Sequence, residues 1–358
     1  MAYTAIDDPS AHFHIQLYTG DGEASLAITN DANAGDFSPD WLWVKNRTSG
    51  GGTGPHYVLD TTRGNTKDVN TNAAEAEHTE STVLLSFDID GFSVGSAGVV
   101  NNDTDSFVAW QWKANGGSRT TNAEDGNNPA GGYQANTTAG FSIVDYTGTG
   151  AAGTMAHGLG AAPDFIMIKN RDEADDWAVY HSANTAAPET DYLVLNETDA
   201  TADDATYWND TAPTSSVFTV ATAHNVNADA EKYMAYCFTS IQGYSKFGSY
   251  TGNGDADGTF VYTGFRPKYV MWRRSNDSGG WTIWDDARDS DNEMDKYFYA
   301  NTTSSEYSGE ALRLDFLSNG FKHRHSNSWG NGSDDTYIYI AFAEQPFVTS
   351  GGVPCTAR

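Results

Sequence analysis

Two pairs of histidines have the residue type and the spacing that metal binding uses. His12 and His14 are two positions apart, and so are His323 and His325. Side chains at such positions of a strand point to one face, so each pair could place two imidazoles side by side. Two ligands do not complete a site, and neither pair recurs elsewhere in the chain. We expect exposed strand histidines, without a metal or another cofactor.

The turn Asp255-Ala-Asp257-Gly258 begins with the spacing of a calcium-binding loop. No acid follows at the position that would bind calcium through both carboxylate oxygens. The aligned segment 149–153 has no carboxylate. We interpret these acids as turn-forming residues, with calcium held loosely by an acidic surface as the alternative.

Basic residues recur at the ends of apolar segments. They are Lys45 and Arg47, Lys169 and Arg171, and Arg273 and Arg274. Two Asp…Arg pairs follow downstream, Asp60 with Arg63 and Asp285 with Arg288. A basic strand end that faces a repeated Asp predicts a structural ion pair, worth about 0–1 kcal/mol at a surface. A clamp that holds a ligand is the functional alternative.

Aromatic side chains flanked by Asn and Asp occur in two polar segments. The candidate receptor-binding or glycan-binding residues are Tyr207, Trp208, Asn209, Trp329 and Asn331. An aromatic ring can pack on a pyranose while neighbouring amides bind its hydroxyl groups. A protein interface and ordinary core packing are the alternatives. Trp177 and Trp281 recur at equivalent places, and we expect them in the core.

Motifs of familiar catalytic mechanisms are absent from the sequence. It has no Gly-x-Ser-x-Gly, no phosphate-binding loop and no Cys/His cluster. Its 48 acidic residues leave a glycosidase pair open as an alternative. Small repeated units offer no obvious long groove for a polysaccharide, so we expect a protein that is not an enzyme.

The charge of the chain argues against several kinds of partner. Acidic residues outnumber basic ones by 48 to 20, which gives a net charge of −28. Such a surface repels nucleic acid and anionic lipid, and no apolar run approaches the ~18 residues of a membrane span. We expect no nucleic-acid partner and no membrane insertion. The N-terminal residues lack a signal-peptide pattern, so we expect synthesis in a host cytoplasm without secretion.

The two cysteines give no disulfide framework. Cys237 alternates with large apolar residues and is expected to be a small buried side chain. Cys355 lies close to the C-terminal end of the sequence.

Most of the sequence is one pattern repeated three times. Four anchor pairs share a separation of 104 positions: Tyr146/Tyr250, Pro163/Pro267, Trp177/Trp281 and Tyr233/Tyr337. A more divergent copy precedes them, from Tyr18-Thr-Gly-Asp-Gly to Phe107-Val-Ala-Trp-Gln-Trp. A unit of about 100 residues is the size of a small domain with its own core. We therefore expect the aromatic residues to fill three separate interiors.

The predicted organisation of the chain has six parts. They are an N-terminal docking segment (1–13), repeat 1 (14–113), a linker or long loop (114–139), repeat 2 (140–243), repeat 3 (244–347) and a C-terminal tail (348–358).

Strand signals dominate each repeat. The segment Tyr337-Ile-Tyr-Ile-Ala-Phe is rich in the aromatic and β-branched residues that strands prefer. Phe165-Ile-Met-Ile and Tyr269-Val-Met-Trp are apolar over four positions, which is typical of an inner strand covered on both sides. The prediction is an all-β protein of three tandem antiparallel β-sandwich domains, jelly-roll-like and about 100 residues each. A closed barrel is the structural alternative.

Several motifs resemble those of a known group of proteins. They are Ala2-Tyr-Thr-Ala-Ile-Asp-Asp-Pro-Ser, Trp208-Asn-Asp-Thr-Ala-Pro, Phe247-Gly-Ser-Tyr-Thr-Gly-Asn-Gly and the recurring Tyr-Thr-Gly-x-Gly turn. Over nearly the whole chain, the sequence resembles tail-fibre-like or appendage-like virion proteins of marine bacteriophages, which repeat one uncharacterised β-rich domain. The resemblance implies a place in the virion rather than a reaction, since that family has no defined catalytic or ligand-binding residues.

These observations predict a non-enzymatic virion protein, a tail-fibre or appendage subunit that contributes to recognition of a host-surface glycan or protein. The expected partners are further copies of the chain in a homotrimer, other tail or capsid proteins, and a host receptor. A head or tail decoration protein without a receptor role is one alternative. A glycan-cleaving tail spike is the other.

Overall fold

A computed structural model describes residues 3–31, 37–48 and 54–356. Nearly all regular structure in these residues is antiparallel strand, arranged as open sheets. The prediction of an all-β fold is confirmed, and the alternative of a closed barrel is wrong. Each of the three sequence repeats, called copies 1 to 3 below, forms a large sheet packed on a small one.

Copy 1 carries nine strands and one short helix in its described residues. They are β1 (Phe13–Thr19), β2 (Leu26–Thr29), β3 (Trp41–Asn46), β4 (His56–Asp60), β5 (Lys67–Asn70), β6 (His78–Thr79), β7 (Leu84–Asp88), β8 (Gly91–Val94), α1 (Gly98–Asn101) and β9 (Ser106–Trp112). The large sheet has the order β1-β9-β3-β4-β5-β6, and the small sheet has the order β2-β8-β7.

Copy 2 repeats this plan with two strands added at one edge of the large sheet and with two strands, instead of three, in the small sheet. Its elements are β10 (Thr120–Asn122), β11 (Ala130–Asn136), β12 (Phe141–Thr147), β13 (Gly153–Ala156), β14 (Phe165–Asn170), β15 (Ala178–His181), β16 (Asp191–Val194), β17 (Ala202–Asp203), α2 (Ala205–Trp208), β18 (Val217–Val220), α3 (His224–Asn227) and β19 (Lys232–Phe238). The large sheet runs β10-β11-β12-β19-β14-β15-β16-β17, and β13 pairs with β18.

Copy 3 returns to the arrangement of copy 1. Its strands are β20 (Ser245–Thr251), β21 (Phe260–Tyr262), β22 (Phe265–Arg274), β23 (Thr282–Asp285), β24 (Lys296–Tyr299), β25 (Tyr307–Ser308), β26 (Leu314–Leu317), β27 (Gly320–His323) and β28 (Thr336–Pro346). The large sheet has the order β20-β28-β22-β23-β24-β25, and the small one has the order β21-β27-β26.

The central strands of each large sheet are buried on both faces, as the continuous apolar segments predict. Along β3, Leu42 and Val44 point into the sandwich of copy 1. Trp41 and Trp43 alternate with them and point away from the small sheet. Successive side chains of a strand face opposite ways, so an uninterrupted apolar strand needs a cover on each side.

The outer faces of the three large sheets meet in one common core, so the expectation of three separate interiors is wrong. Each copy keeps a core between its own two sheets, and a fourth cluster is shared by all three. Residues of the shared cluster include Trp41, Trp43, Trp110 and Trp112 of copy 1, Phe165, Met167, Trp177 and Tyr236 of copy 2, and Tyr269, Met271, Trp281 and Ile340 of copy 3.

Equivalent hydrogen bonds join the copies in a closed ring. The backbone N–H of Glu77 in copy 1 donates to the carbonyl of Arg171 in copy 2 at 2.9 Å. In the same way Thr201 of copy 2 donates to Ser275 of copy 3 at 2.9 Å, and Glu306 of copy 3 donates to Arg47 of copy 1 at 3.1 Å. Each copy therefore contacts the next copy in the same direction around the ring. The three copies have an approximate threefold arrangement within one chain.

The repeated basic strand ends lie at these contacts between copies. Lys45 donates to the Thr303 carbonyl of copy 3, and Lys169 donates to the Ala74 carbonyl of copy 1. Arg273 completes the cycle by donating to backbone carbonyls of copy 2. Burial lowers the pKa of both lysines to about 8. The predicted pairing with the repeated Asp is wrong, because Lys45, Lys169 and Arg273 donate to backbone carbonyls. Arg47 and Arg171 pair instead with Glu306 and Glu77 of the neighbouring copies.

The repeated Asp and Arg instead pair with each other inside the protein. Asp60 accepts from Arg63 at 2.6 Å, and Asp285 accepts from Arg288 at 2.6 Å. All four side chains are fully buried. The Asp60 carboxylate also accepts from the hydroxyl of Tyr236 in copy 2 at 2.8 Å. These are buried ion pairs rather than the surface pairs that the sequence predicts.

The predicted linker 114–139 is partly strand, because β10 and β11 extend the large sheet of copy 2. Its low apolar content misled the prediction. Gly131 and Gly132 in β11 lie against neighbouring backbone, where a Cβ on Gly131 would come within 2.1 Å of the Asp145 carbonyl oxygen. Strands at a sheet edge can be polar, since one side of them meets water.

The terminal segments pack on the body in their described residues. Tyr3 donates to the Gly264 carbonyl at 2.6 Å, and Ile6 is buried in the common core. A 3-10 turn, Pro9–Ala11, then leads into β1. Ser350 of the predicted tail donates its backbone N–H to Asp7 at 2.6 Å. The predicted N-terminal docking segment is thus part of the folded body, and its docking role stays a prediction.

Candidate functional site

Equivalent surfaces lie beside the last strands of each large sheet. We use the name edge cleft for the surface that lies between those edge strands and the segment before the final strand of the same copy. In copy 3 the strands are β24 and β25 and the segment contains Trp329. The strand pairing makes Asp68 and His78 of copy 1 equivalent to Tyr297 and Tyr307 of copy 3.

The edge cleft of copy 3 presents a cluster of aromatic rings to solvent. Trp329 is 40% exposed and Tyr307 is 36% exposed. The ring of Tyr299 lies 5.2 Å from each of them, measured between centroids. Tyr297 stacks on Tyr307 at 5.3 Å and connects the cluster to the core. The result is a continuous aromatic surface on a rigid sheet edge.

The loop that carries Trp329 is held by hydrogen bonds on both sides of the peptide. The side chain of Asn327 accepts from the backbone N–H of Trp329 at 2.9 Å. The buried indole of Trp272 donates to the Trp329 carbonyl at 3.0 Å. With its backbone fixed, the exposed indole can meet a ligand at a small cost in conformational entropy.

Gly280 has no side chain, and the aromatic cluster occupies the space in which a side chain would lie. A Cβ at this position would lie 2.7 Å from the Tyr299 ring and 3.1 Å from the Trp329 ring. The equivalent residues are Pro55 in copy 1 and Asp176 in copy 2, so this clearance belongs to copy 3. Polar neighbours border the cluster, including Ser304, which accepts from the Tyr307 hydroxyl at 3.1 Å.

In copy 2 the edge cleft is filled by the chain itself. Tyr207 of α2 stacks on Tyr192 with ring centroids 3.7 Å apart. Trp208 is 2% exposed and donates its indole N–H to the Asp191 carbonyl at 3.0 Å. The prediction that the side chains of Tyr207 and Trp208 are exposed is wrong. The helix folds both rings back onto the sheet despite their polar neighbours.

The two candidate asparagines have different positions. Asn209 is exposed and ends α2 in the left-handed conformation, with φ of 55°, which Asn tolerates better than most residues. Asn331 is fully buried and holds the Thr-Gly-Asn-Gly turn of copy 3. Its amide donates to the Asp255 carbonyl at 2.9 Å and its oxygen accepts from Asn253 at 3.1 Å. A binding role for Asn331 is therefore not supported by its burial.

The same structural Asn recurs in every copy. Asn101 and Asn227 accept from the turn residues Asp21 and Thr149 at 3.0 and 2.8 Å, as Asn331 does in copy 3. The Tyr-Thr-Gly-x-Gly motif and this Asn therefore form one structural unit. The sequence showed the turn, but the Asn lies about 80 positions later, where short-range patterns do not connect the two.

The histidine pairs do not form exposed two-ligand sites. His14, His323 and His325 are buried, so the expectation of exposed strand histidines is wrong for them. His323 and His325 contact each other through ring nitrogens 3.3 Å apart. Burial, followed by the charge of His325, lowers the pKa of His323, and burial lowers the pKa of His325 to about 4.

One cluster of potential metal ligands lies in the described chain. The ligand atoms of Asp175, His224 and Glu231 are all within 4.8 Å of one another. Such a set could bind a divalent transition metal. The side-chain amide of Asn170 already donates to both carboxylates, at 2.7 and 2.5 Å. This shared donor accounts for their proximity.

The acids of the calcium-like turn have structural partners. Asp255 accepts from the backbone N–H of Asp257 at 2.9 Å, and Asp257 pairs with Lys322 at 2.6 Å. This agrees with the interpretation of turn residues. Cys237 is buried as expected, and burial raises the pKa of its thiol.

The protein is all-β, and its edge clefts are candidate binding surfaces. The chain belongs to a family described as a domain of unknown function (DUF7483), whose model matches residues 8–346. That match spans all three copies, so the family unit is the whole ring. A search of curated proteins found no match to this sequence. In the described residues no helix is long and apolar enough to cross a bilayer.

Proposed function

We propose that this chain is a non-enzymatic recognition protein of a bacteriophage virion, a tail-fibre or appendage subunit that binds the host surface. One observation carries the proposal. Among the described residues, the exposed aromatic side chains all belong to copy 3: they are Phe260, Tyr262, Tyr307 and Trp329. We therefore assign recognition to copy 3, and within it to the surface formed by Trp329, Tyr299 and Tyr307.

A surface glycan is the ligand that the edge cleft of copy 3 suits. Trp329 and Tyr307 offer ring faces at an open surface, and hydroxyl and amide groups border them. Sugar rings use this combination, since their C–H faces pack on aromatic rings and their hydroxyl groups need hydrogen-bond partners. A protein receptor is the alternative ligand for the same surface.

A virion location is supported by the sequence resemblance and by the ring of three copies. Fibre proteins are commonly homotrimers, and this chain reproduces a threefold arrangement internally. Association of the chain into a homotrimer, and its attachment to other tail or capsid proteins, belong to the same proposal.

The test is adsorption of purified protein to host cells in competition with the phage. We expect saturating protein to block phage adsorption, and we expect Trp329→Ala to lose the block while keeping the wild-type circular dichroism spectrum. Ile89→Ala is the matched control, because Ile89 is a 74% exposed apolar residue of copy 1. Failure of the wild-type protein to compete would reject the recognition role.

The two alternatives predict other outcomes of simple experiments. A decoration protein would appear in high copy on the head or tail lattice in a virion reconstruction. A glycan-cleaving spike would shorten host polysaccharide on incubation with purified protein. Unchanged polysaccharide length together with adsorption would support binding without cleavage.

A further inference from the structure

The edge cleft of copy 1 has a volume of about 820 Å³ and combines acidic with apolar walls. The acidic residues that line it without a Lys or Arg partner among the described residues are Asp68, Glu75 and Glu80. The apolar wall consists of Pro55, Tyr57, Val83, Ala97 and Val99. This lining differs from the aromatic surface at the equivalent place in copy 3.

Asp68 lies at the inner end of this cleft with one oxygen unsatisfied. The residue is 1% exposed, and its Oδ1 lies 3.2 Å from Nδ1 of His78. Its Oδ2 is buried and contacts no hydrogen-bond donor of the described chain. Leaving a buried polar atom unpaired costs about 1–3 kcal/mol, more when it is charged, so a donor from a ligand would be favoured there.

The charges of three carboxylates in the cleft all act on Tyr57 in its wall. Burial, followed by the charges of Asp68, Glu75 and Glu80, raises the pKa of Tyr57 to about 12. His78 lies between two of them, with its Nε2 3.6 Å from Glu75. Glu77, which also lines the cleft, is already paired with Arg63 and Arg171. Burial raises the pKa of Asp68, and the neighbouring His78 acts in the opposite direction. Glu75 and Glu80 are exposed and have no Lys or Arg partner among the described residues, so the mouth of the cleft is negatively charged.

An organic cation fits this lining better than a metal ion does. A metal needs several ligand atoms close to one another, and the carboxylates of this cleft do not form such a group. A cation on an apolar stem would use both parts of the lining. Its charged end would reach Asp68 while its stem packs against Tyr57 and Val99.

We propose that the edge cleft of copy 1 is a binding site for a primary ammonium group on an apolar stem, with Asp68 as its main acceptor. This site is separate from the aromatic surface of copy 3 and does not depend on the recognition role proposed above. The ammonium donates to the free Oδ2 of Asp68, and Glu75 and Glu80 add attraction at the mouth of the cleft.

Isothermal titration of the full chain with n-butylammonium chloride tests the site. We expect saturable binding of butylammonium and no binding of 1-butanol, which has the same stem without the charge. Asp68→Asn should weaken binding by about tenfold or more, since one lost charge-assisted bond of 1.4 kcal/mol is a factor of ten. Asp103→Asn removes the same charge from an exposed residue of copy 1 and should leave the affinity unchanged.

Glu80→Gln provides a second variant in case Asp68→Asn disturbs folding. Glu80 is exposed at the rim, so its substitution should weaken binding severalfold without a change in melting temperature. Equal binding of butylammonium and butanol would overturn the proposal. So would wild-type affinity in both cleft variants, or displacement of butylammonium by millimolar calcium.

Two further titrations separate the natural sources of such a group. Nα-acetyl-lysine methylamide represents a lysine side chain of a protein, and methyl glucosaminide represents an amino sugar of a polysaccharide. The apolar wall predicts tighter binding of the lysine analogue, whose amine ends a four-carbon stem. Tighter binding of the glucosaminide would identify the amino sugar as the source, and binding of neither would overturn the proposal.

Discussion

The indole N–H of Trp110 in copy 1 donates to Oδ2 of Asp285 in copy 3 across 3.0 Å, inside the common core. The same oxygen accepts from Nε of Arg288 at 2.6 Å. This carboxylate therefore serves an ion pair within one copy and a hydrogen bond between two copies. Loss of its charge would leave the buried guanidinium of Arg288 with Glu306, 3.2 Å away, as its remaining carboxylate partner among the described residues.

Asp285→Asn should lower the free energy of unfolding by about 3–5 kcal/mol, the usual cost of breaking a buried ion pair. Urea denaturation followed by tryptophan fluorescence measures the loss. Asp257→Asn is the control, because Asp257 pairs with Lys322 at a side-chain exposure of 78% and its substitution should change the free energy of unfolding far less. Similar losses in the two variants would contradict a special role of the buried pair.

Copy 3 expressed alone, as residues 244–347, should not be a stable monomer. Its large sheet would expose Tyr269, Met271 and Trp281, which are at most 2% exposed in the whole chain. We expect aggregation or association into trimers that cover these faces again. Size-exclusion chromatography with light scattering gives the answer, and a cooperatively folded monomer would show that the sandwich core suffices.

The stability of the protein should fall as the pH is lowered below about 6.5, in part because of buried histidines. Burial lowers the pKa of both His181 and His325 to about 4 in the folded protein. The unfolded chain binds their protons first, so their contribution is complete above pH 6.5 and is lost as the pH falls toward 4. Each residue accounts for roughly 3 kcal/mol at most.

His325→Gln should therefore reduce the dependence of unfolding free energy on pH between 7 and 5. Urea denaturation at several pH values gives the slope. An unchanged slope in His325→Gln would mean that other groups cause the pH dependence.

Trp208 and Trp329 should differ sharply in their effect on stability. Trp208→Ala removes a 2% exposed ring from the core of copy 2 and should cost about 3–5 kcal/mol. Trp329→Ala removes a 40% exposed ring and should cost about 1 kcal/mol or less. Thermal melts of the two variants compare them directly. A large loss in Trp329→Ala would assign that ring to packing rather than to recognition.

The sequence predicted the all-β fold and its inner strands well, because short segments of apolar, aromatic and β-branched residues are local patterns. Phe165-Ile-Met-Ile correctly indicated a strand covered on both sides. It could not indicate what lies on the second side. The cover comes from another copy: the ring of Trp281 in copy 3, more than 100 positions away, lies 6.4 Å from that of Phe165.

The candidate site was only partly predictable for a similar reason. Polar neighbours surround both Trp208 and Trp329, and they give the two rings the same local signal. Burial differs because α2 folds Trp208 onto the sheet, while Asn327 and Trp272 fix the backbone of Trp329 beside Tyr299. Tyr299 and Tyr307 were missed because aromatic residues on a strand usually indicate packing.

Because the three copies are parts of one polypeptide, a mutation can change one copy independently of the other two. In an assembly of identical subunits, one mutation would change all three clefts at once. Here a single substitution alters one cleft and leaves the other two intact. Acidic Asp68, self-covered Tyr192 and aromatic Tyr297 occupy the equivalent position in the three copies and are the present results of that freedom in one polypeptide.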